Sequence, residues 1–352
     1  MATITQLEWS SLTRVVNEIK SPNQFVKKLV FGASETFPTR SVEIGSYVGG
    51  REIAPFIREG AEAKMVEGLS TSLQSVQTPN IRIKRPFTPS DLLYGRKPGT
   101  PIFPSAGQVR SGVNGHIARD MQFLSDKITN AEEYMCCLAL QAAISYTVDD
   151  EETFTITYPR PAGHTITGGT KWDDATPADV TIEQDFRTAK KLIADESGLA
   201  CTDVILGEEA AVDFMELIRI NRLPLLDANN MTAGQVTFSS SFDTDGVLFL
   251  GIFCGLRVWN YSRKVDVNGT STSLIRDKYA EFIAVNPAAE FARYYGVIED
   301  MRTIRGGSLQ AERFSKSWEV EDPSAIIALV ASRPLPVLRR PGATVSMQVS
   351  TT

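Results

Sequence analysis

The stretch IARDMQFLSDKITNAEEYMCCLALQAAISY, residues 117–146, contains neither Gly nor Pro. Apolar or small side chains recur at Ile117, Met121, Leu124, Ile128, Ala131, Met135, Leu138, Ala142 and Ser145. Steps of four and three draw one stripe down one side of a helix. At ~1.5 Å per residue the stretch makes a rod of about 45 Å, far longer than an average helix of ~11–12 residues. In a chain without internal repeats, such a rod is expected to be a spine on which sheets and loops are hung. A core helix of a large α/β domain, or a short coiled coil, fits the same stripe.

On the N-terminal side of the rod, residues 86–115 are punctuated by Pro86, Pro89, Pro98, Pro101 and Pro104 and by five glycines. They predict a connector of fixed shape. Ahead of it, Val42 and Ile44 alternate with polar residues, as do Ile81 and Ile83, around a polar middle rich in Gly, Ser and Gln. This pattern predicts a long two-stranded excursion over 41–85. An isolated hairpin is marginal in water and needs a surface to lean on. Residues 1–40 carry short apolar clusters, Leu12 to Ile19 and Phe25 to Phe31, with no core of their own. They read as an arm laid on something else.

On the C-terminal side the helix is expected to end in the acidic run Asp149 to Glu152. A hairpin follows, with Phe154, Ile156 and Tyr158 going out and Thr165-Ile166-Thr167 returning. Gly168-Gly169-Thr170-Lys171-Trp172 closes it, with Trp172 as a packing anchor. From Thr176 the rhythm is helix, strand, helix. Thr181-Ile182-Glu183-Gln184 reads as a capping box, Ile182, Phe186, Ala189 and Ile193 as a helical face, and Val204-Ile205-Leu206 as a buried strand. Short strands then run to Ile283, and the proline-broken tail from Ala325 to Val349 reads as strands closing a sheet near the helix.

The chain has 352 residues, 42% of them hydrophobic and 22% charged, as expected of a folded protein with an ample core. Net charge is −6, with pI ≈ 5.2, so no groove that grips nucleic acid through its phosphates is expected. Charge is uneven, however. Residues 81–120 carry seven Lys/Arg against Asp91 and Asp120, whereas residues 121–200 carry six against fourteen Asp/Glu. Either these are two solvated faces or they are complementary surfaces between copies. Cys136, Cys137, Cys201 and Cys254 form no Cys-x-x-Cys pair and read as small buried hydrophobes in a reducing compartment. The N-terminus has no signal-peptide pattern, and the longest apolar run, Ala325–Ala331, is too short to span a bilayer.

Chemistry finds little support. His116 and His164 have no motif-like partner, and no nucleophile elbow, P-loop or dinucleotide fingerprint is present. Neither a spaced metal-ligand cluster nor a cofactor motif occurs. Catalytic, metal and cofactor sites are therefore expected to be absent.

Thr88-Pro89-Ser90-Asp91-Leu92-Leu93, preceded by Ile81-Arg82-Ile83-Lys84-Arg85 and followed by Lys97-Pro98-Gly99, resembles the connector of the major capsid protein E family of lambda-like tailed phages. Further similarities follow in family order over residues 35–350. They are Gly168 to Trp172, Tyr294-Tyr295-Gly296-Val297-Ile298-Glu299-Asp300, Lys316-Ser317-Trp318 before Asp322-Pro323, and the close from Pro334 to Val349. The resemblance implies an α+β, Hong Kong 97-like capsid fold. It would place an N-terminal arm at 1–40, an E-loop at 41–85, and a peripheral domain at 86–175 with its spine at 116–146 and a hairpin at 153–170. An axial domain at 176–275 and a return to the peripheral domain at 276–352 complete the implied layout.

The implied function is a major capsid protein that self-assembles as pentamers and hexamers into an icosahedral head around double-stranded DNA, from a precursor that expands during packaging. Expected partners are other copies, a separate scaffolding protein (since only ~35 residues precede the E-loop), a portal protein and a decoration or cement protein, with no membrane and no cofactor. The setting would be the virion, assembled in the host cytoplasm. Intersubunit contacts are expected at Val42, Ile44, Arg51, Phe56, Arg58, Lys64, Ile81, Arg82, Ile83, Lys84 and Arg85, and packing anchors at Trp172, Tyr295 and Trp318. Lys64 and Lys84 carry no mark of cross-linking reactivity. An encapsulin-like nanocompartment is the structural alternative, and a hydrolase or transferase on the α/β lobe the enzymatic one.

Overall fold

The computed structural model describes residues 24–48, 56, 70–88, 106–148, 152–167, 171–174, 182–221, 246–285, 291–301, 311–322 and 324–351. The chain opens with α1 (Phe25–Leu29), β1 (Ala33–Thr36), β2 (Ser41–Val48), β3 (Ser70–Gln77) and β4 (Ile81–Phe87). The spine helix α2 (Ala106–Leu140), β5 (Ala143–Val148), β6 (Glu152–Thr157) and β7 (Thr165–Ile166) follow. The lobe comprises α3 (Ile182–Ser197), β8 (Asp203–Leu206), α4 (Glu208–Asn221), β9 (Val247–Phe253), β10 (Leu256–Tyr261), β11 (Lys264–Val267) and β12 (Thr270–Ser273). The chain ends with β13 (Tyr279–Ile283), β14 (Phe291–Tyr295), β15 (Phe314–Val320), β16 (Ala325–Ser332), β17 (Pro334–Leu338) and β18 (Thr344–Gln348).

The spine is displaced from its expected bounds. It starts at Ala106, within the stretch read as connector, and stops at Leu140 rather than Tyr146. Its 35 residues span about 52 Å at ~1.5 Å each. Gln141 and Ala142 donate back to the Leu138 and Ala139 carbonyls, and Ala142 takes φ +71°. This left-handed residue ends the helix without the Gly that usually marks such a stop. Residues 143–148 instead form β5, paired antiparallel with β6 from Ala143↔Thr157 to Val148↔Glu152. Of the acidic run, Glu152 therefore lies in a strand and 149–151 fall outside the described residues. The hairpin expected at 153–170 is also replaced. Its outgoing strand pairs with β5, and Thr165–Ile166 runs parallel to β18.

The stripe residues Met121, Leu124, Ile128 and Met135 are buried as expected. Beyond Ile128 burial spreads around the rod to Glu132, Glu133, Cys136, Cys137, Ala139 and Leu140. Neighbours therefore pack on several sides of its C-terminal half. One three-stranded sheet, in the order β15-β16-β4, supplies Phe87, Ala328 and Val330 to a cluster with Met121, Leu124 and Ile128.

The lobe is built on a six-stranded mixed sheet in the order β7-β18-β13-β8-β10-β9. Strands outside 176–275 thus complete it. Phe186, Phe214, Phe253 and Phe282 form its aromatic centre, with ring centroids 5.0–5.9 Å apart. The Asn268-Gly269 turn, at φ +51° and +82°, joins β11 to β12. Thr181 of the expected capping box lies outside the described residues.

The arm corrects a larger expectation. Residues 24–40 do have a core, namely the body of their own chain. Val26 and Phe31 are fully buried, and β1 pairs in parallel with β14. Short apolar clusters show that a segment needs a host surface but not which molecule supplies it. Residues 1–23, including the Leu12–Ile19 face, lie outside the described residues.

Candidate assembly surface

Two features project from this body, a two-stranded ribbon and the edge of a sheet. The ribbon is β2 and β3, paired antiparallel from Ser41↔Gln77 to Val48↔Ser70. Eight pairs at ~3.4 Å make a ladder of about 27 Å. Among the described residues neither strand has a second hydrogen-bonded neighbour. The excursion therefore returns through Ser70–Gln77 and not, as the sequence suggests, through Ile81–Lys84. That segment is β4, paired with β16 from Ile81↔Ser332 to Phe87↔Ile326. Both segments alternate with period two, and alternation does not name the partner strand.

The ribbon is rooted by Val42, Ile44 and Val76, all buried in the main core. The Thr78 amide and hydroxyl both donate to the Arg40 carbonyl. A Cβ on Gly296 would overlap the Thr78 hydroxyl, so only Gly lets the root lie this close to the body. Val42 and Ile44 thus leave no side-chain surface for a neighbour, which corrects their expected role. Farther out, Phe56 is 96% exposed. Arg51, Arg58 and Lys64 lie outside the described residues.

On β4 the alternation sorts the expected contacts into two faces. Ile81 and Ile83 are half-buried against the cluster on the spine. Arg82, Lys84 and Arg85 are exposed. β4 is an edge strand and carries Pro86, which an edge tolerates because that position owes the ladder no N–H. Such an edge, studded with cations, resists indiscriminate pairing. Arg85 pairs with Asp120 at 3.3 Å. Beside it Phe123 is half-exposed, with Lys127 Nζ 4.8 Å and the Arg85 guanidinium 6.0 Å from its ring centre.

Sequence reasoning missed a buried polar hub on the spine. Glu133 accepts from the Val26 amide at 2.8 Å, the Lys27 amide at 3.1 Å and the Tyr261 hydroxyl at 3.0 Å. Burial pushes its carboxyl above the usual range against the pull of those donors. Glu132 pairs with Lys27 and, at 3.2 Å, with Arg313. Arg313 also donates to the Ser125 and Thr129 hydroxyls. Arm, spine, lobe and C-terminal sheet therefore meet at two adjacent glutamates. Lys27 inside an apolar patch is the one hint the sequence holds.

The remaining candidates are structural in their contacts. Trp172 is buried, stacks on Phe186 and donates to Asp185 at 2.9 Å. Tyr295 is buried, and Trp318 is half-buried against Ile298, Phe314 and Leu329. His164 is buried with Nδ1 3.0 Å from the Thr344 carbonyl, and the His116 side chain lies outside the described residues. Burial raises the Cys136 and Cys137 thiols well above the ordinary value and Cys201 to about 12. A group of acids and His or Cys able to hold a metal ion does not occur among the described residues. No helix among them is long and apolar enough to cross a membrane.

No curated protein matches the chain. Among solved structures, a protein of Escherichia coli CFT073 described as a prophage capsid protein superposes with TM-score 0.72 at 16% identity, covering 98% of this chain and 100% of its own. A phage-related protein of Bordetella bronchiseptica RB50 gives 0.51 at 12% identity, covering 96% of each chain. An encapsulin of Synechococcus elongatus PCC 7942 gives 0.50 at 8% identity, covering 99% of this chain and 91% of its own. These similarities establish a Hong Kong 97-like capsid fold. The family profile of phage major capsid protein E matches residues 8–349, nearly the whole sequence. The chain therefore belongs to the phage major capsid protein E family and is a capsid shell protein.

Proposed function

We propose that this chain is the principal subunit of a tailed-phage head, self-assembling as pentamers and hexamers into an icosahedral shell around double-stranded DNA. The observation that carries the reading is the family match across residues 8–349. In this reading the β2–β3 ribbon is the E-loop and leans on a neighbour, because it has no second strand partner of its own among the described residues. Phe56, Arg82, Lys84 and Arg85, with Arg51, Arg58 and Lys64, make intersubunit contacts. DNA is enclosed without base recognition, in keeping with a net charge of −6. A separate scaffolding protein, a portal and a decoration protein complete the head, which assembles in the host cytoplasm. The chain performs no catalysis.

Electron microscopy of the purified protein, alone and with its scaffold, tests the reading. Closed particles or ring-shaped capsomers are expected. Monomers under every condition would overturn it. The encapsulin match at TM-score 0.50 keeps one second reading, a cellular compartment with protein cargo. Terminase, portal and scaffold genes beside this one decide for the phage head.

A further inference from the structure

The β15–β16 hairpin carries opposite charge at its two ends. At one end, where β15 turns into β16, Glu319, Glu321 and Asp322 are all exposed, and among the described residues their side chains make no ion pair or hydrogen bond. At the other end lies a cavity of about 80 Å³, far above the ~10–15 Å³ that one water needs. It sits at the root of the β2–β3 ribbon. Phe314 and Ala331, both buried, form an apolar floor.

Arg82 and Arg333 line this cavity together with Glu299 and Asp300, and Arg40 and Lys316 reach those two carboxylates from outside its lining. Arg40 pairs with Glu299, and Arg82 and Lys316 both pair with Asp300. Arg333 is in ion-pair distance of no carboxylate among the described residues, and its Nε is buried without an acceptor. Burial holds its guanidinium below the usual range, with Glu299 pulling the other way and the nearby Arg40 and Arg82 adding to the depression. The cavity lining itself is balanced, but the cluster with Arg40 and Lys316 sets four cations against two carboxylates, and Arg333 Nε offers an unused donor over a low-dielectric floor, where a charge-assisted bond is strong.

Acidic tip and cavity cannot meet within one molecule. Six ladder steps, from Phe314↔Ala331 to Val320↔Ala325, separate the two ends, about 20 Å at ~3.4 Å per step. We infer that the acidic tip of one copy docks its carboxylates into the Arg82–Arg333 cavity of the next copy. The contact is head to tail, the geometry that closes rings when its rotation closes. It would also fix the angle at which the ribbon leaves the body, since Arg40 and Arg82 flank the ribbon root. The inference rests on the shell reading above.

Charge reversal tests it in assembled particles. Arg333→Glu alone, and Glu321→Lys with Asp322→Lys together, are each expected to lower particle yield about tenfold. Both should leave the subunit's melting temperature near that of wild type. The combination should recover most of the yield. In parallel, Arg333→Lys supplies an amine for carbodiimide coupling. Particles grown from mixed isotope-labelled and unlabelled copies should then give cross-links between Lys at 333 of one copy and Glu319, Glu321 or Asp322 of another. Wild-type yield from both single-site reversals would overturn the inference, as would a combination no better than its parts or cross-links confined to Glu299 and Asp300 of the same copy. Arg333→Glu shells of normal yield that retain less DNA would assign the cavity to phosphate and also overturn it. A wild-type protein that never assembles would fail the shell reading instead, so the two failures are distinct.

Discussion

Glu133 is ionisable, buried and in contact with three donors, two of them backbone amides of the arm. Its folded-state carboxyl is raised above the ordinary 4.5, with burial the largest cause. A raised carboxyl contributes stability in full below the unfolded value and loses it as pH climbs through the folded value. The free-energy difference between wild type and Glu133→Gln should therefore move toward the variant as pH rises from about 4.5. Urea unfolding of both proteins across pH 4–8 checks this, and a pH-independent difference would refute it. The amide keeps one acceptor and loses the other, so one arm N–H is left unpaired at a cost of about 1–3 kcal/mol. Proteolysis at residues 24–31 should accelerate in the variant for that reason. Apart from Lys27 inside an apolar patch, none of this was legible beforehand, because Glu132 and Glu133 flank the apolar stripe and read as solvent-facing until a second element is laid on them.

Among the elements, those whose side-chain period is self-contained were the readable ones. The face Ile182, Phe186, Ala189 and Ile193 is wholly buried on α3, and Val204-Ile205-Leu206 lies wholly buried in β8. The spine was legible as a long rod but not at its ends. Gly107, Gly112 and Gly115 sit inside the helix, and Ala142 stops it in a conformation that Gly usually adopts. Strand pairing was the weakest inference. Ser70–Gln77 carries only Leu73 and Val76 as apolar residues, yet it is the true partner of β2. That pairing guides an element-scale experiment. Replacing residues 49–69 with a short Gly-Ser link keeps Val42, Ile44 and Val76 at the ribbon root. The variant should stay soluble, with a melting temperature near that of wild type, yet fail to build stable shells. Normal particles by negative-stain microscopy would remove the ribbon from assembly.

At the scale of the whole molecule, charge is distributed unevenly over the surface, though not along the 81–120 and 121–200 division of the sequence. Basic residues of 81–85 lie on the exposed edge of the β15-β16-β4 sheet. Elsewhere Asp173, Glu208, Glu209, Asp213 and Asp277 line one shallow depression, where Lys264 pairs with Glu208 and Lys278 with Glu209, leaving a net acidic surface. Association between copies that is steered by such charge should weaken as ionic strength rises, because the Debye length falls from about 10 Å at 0.1 M to ~3 Å at 1 M. Light scattering of assembling protein between 0.05 and 0.5 M salt, roughly that screening range, should show a falling assembly rate. A flat response would discard the electrostatic pairing.

The sequence by itself determined the long rod, the α/β rhythm after it, a projecting ribbon and a family resemblance, since periodicity and ordered motifs are local and survive being read along a line. Tertiary structure alone decided which strand meets which, where the rod ends, and that residues 24–40 lie on their own body. An apolar cluster encodes its need for a host surface but not the host, because burial has the same free energy whether the covering atoms belong to the same chain or to another copy.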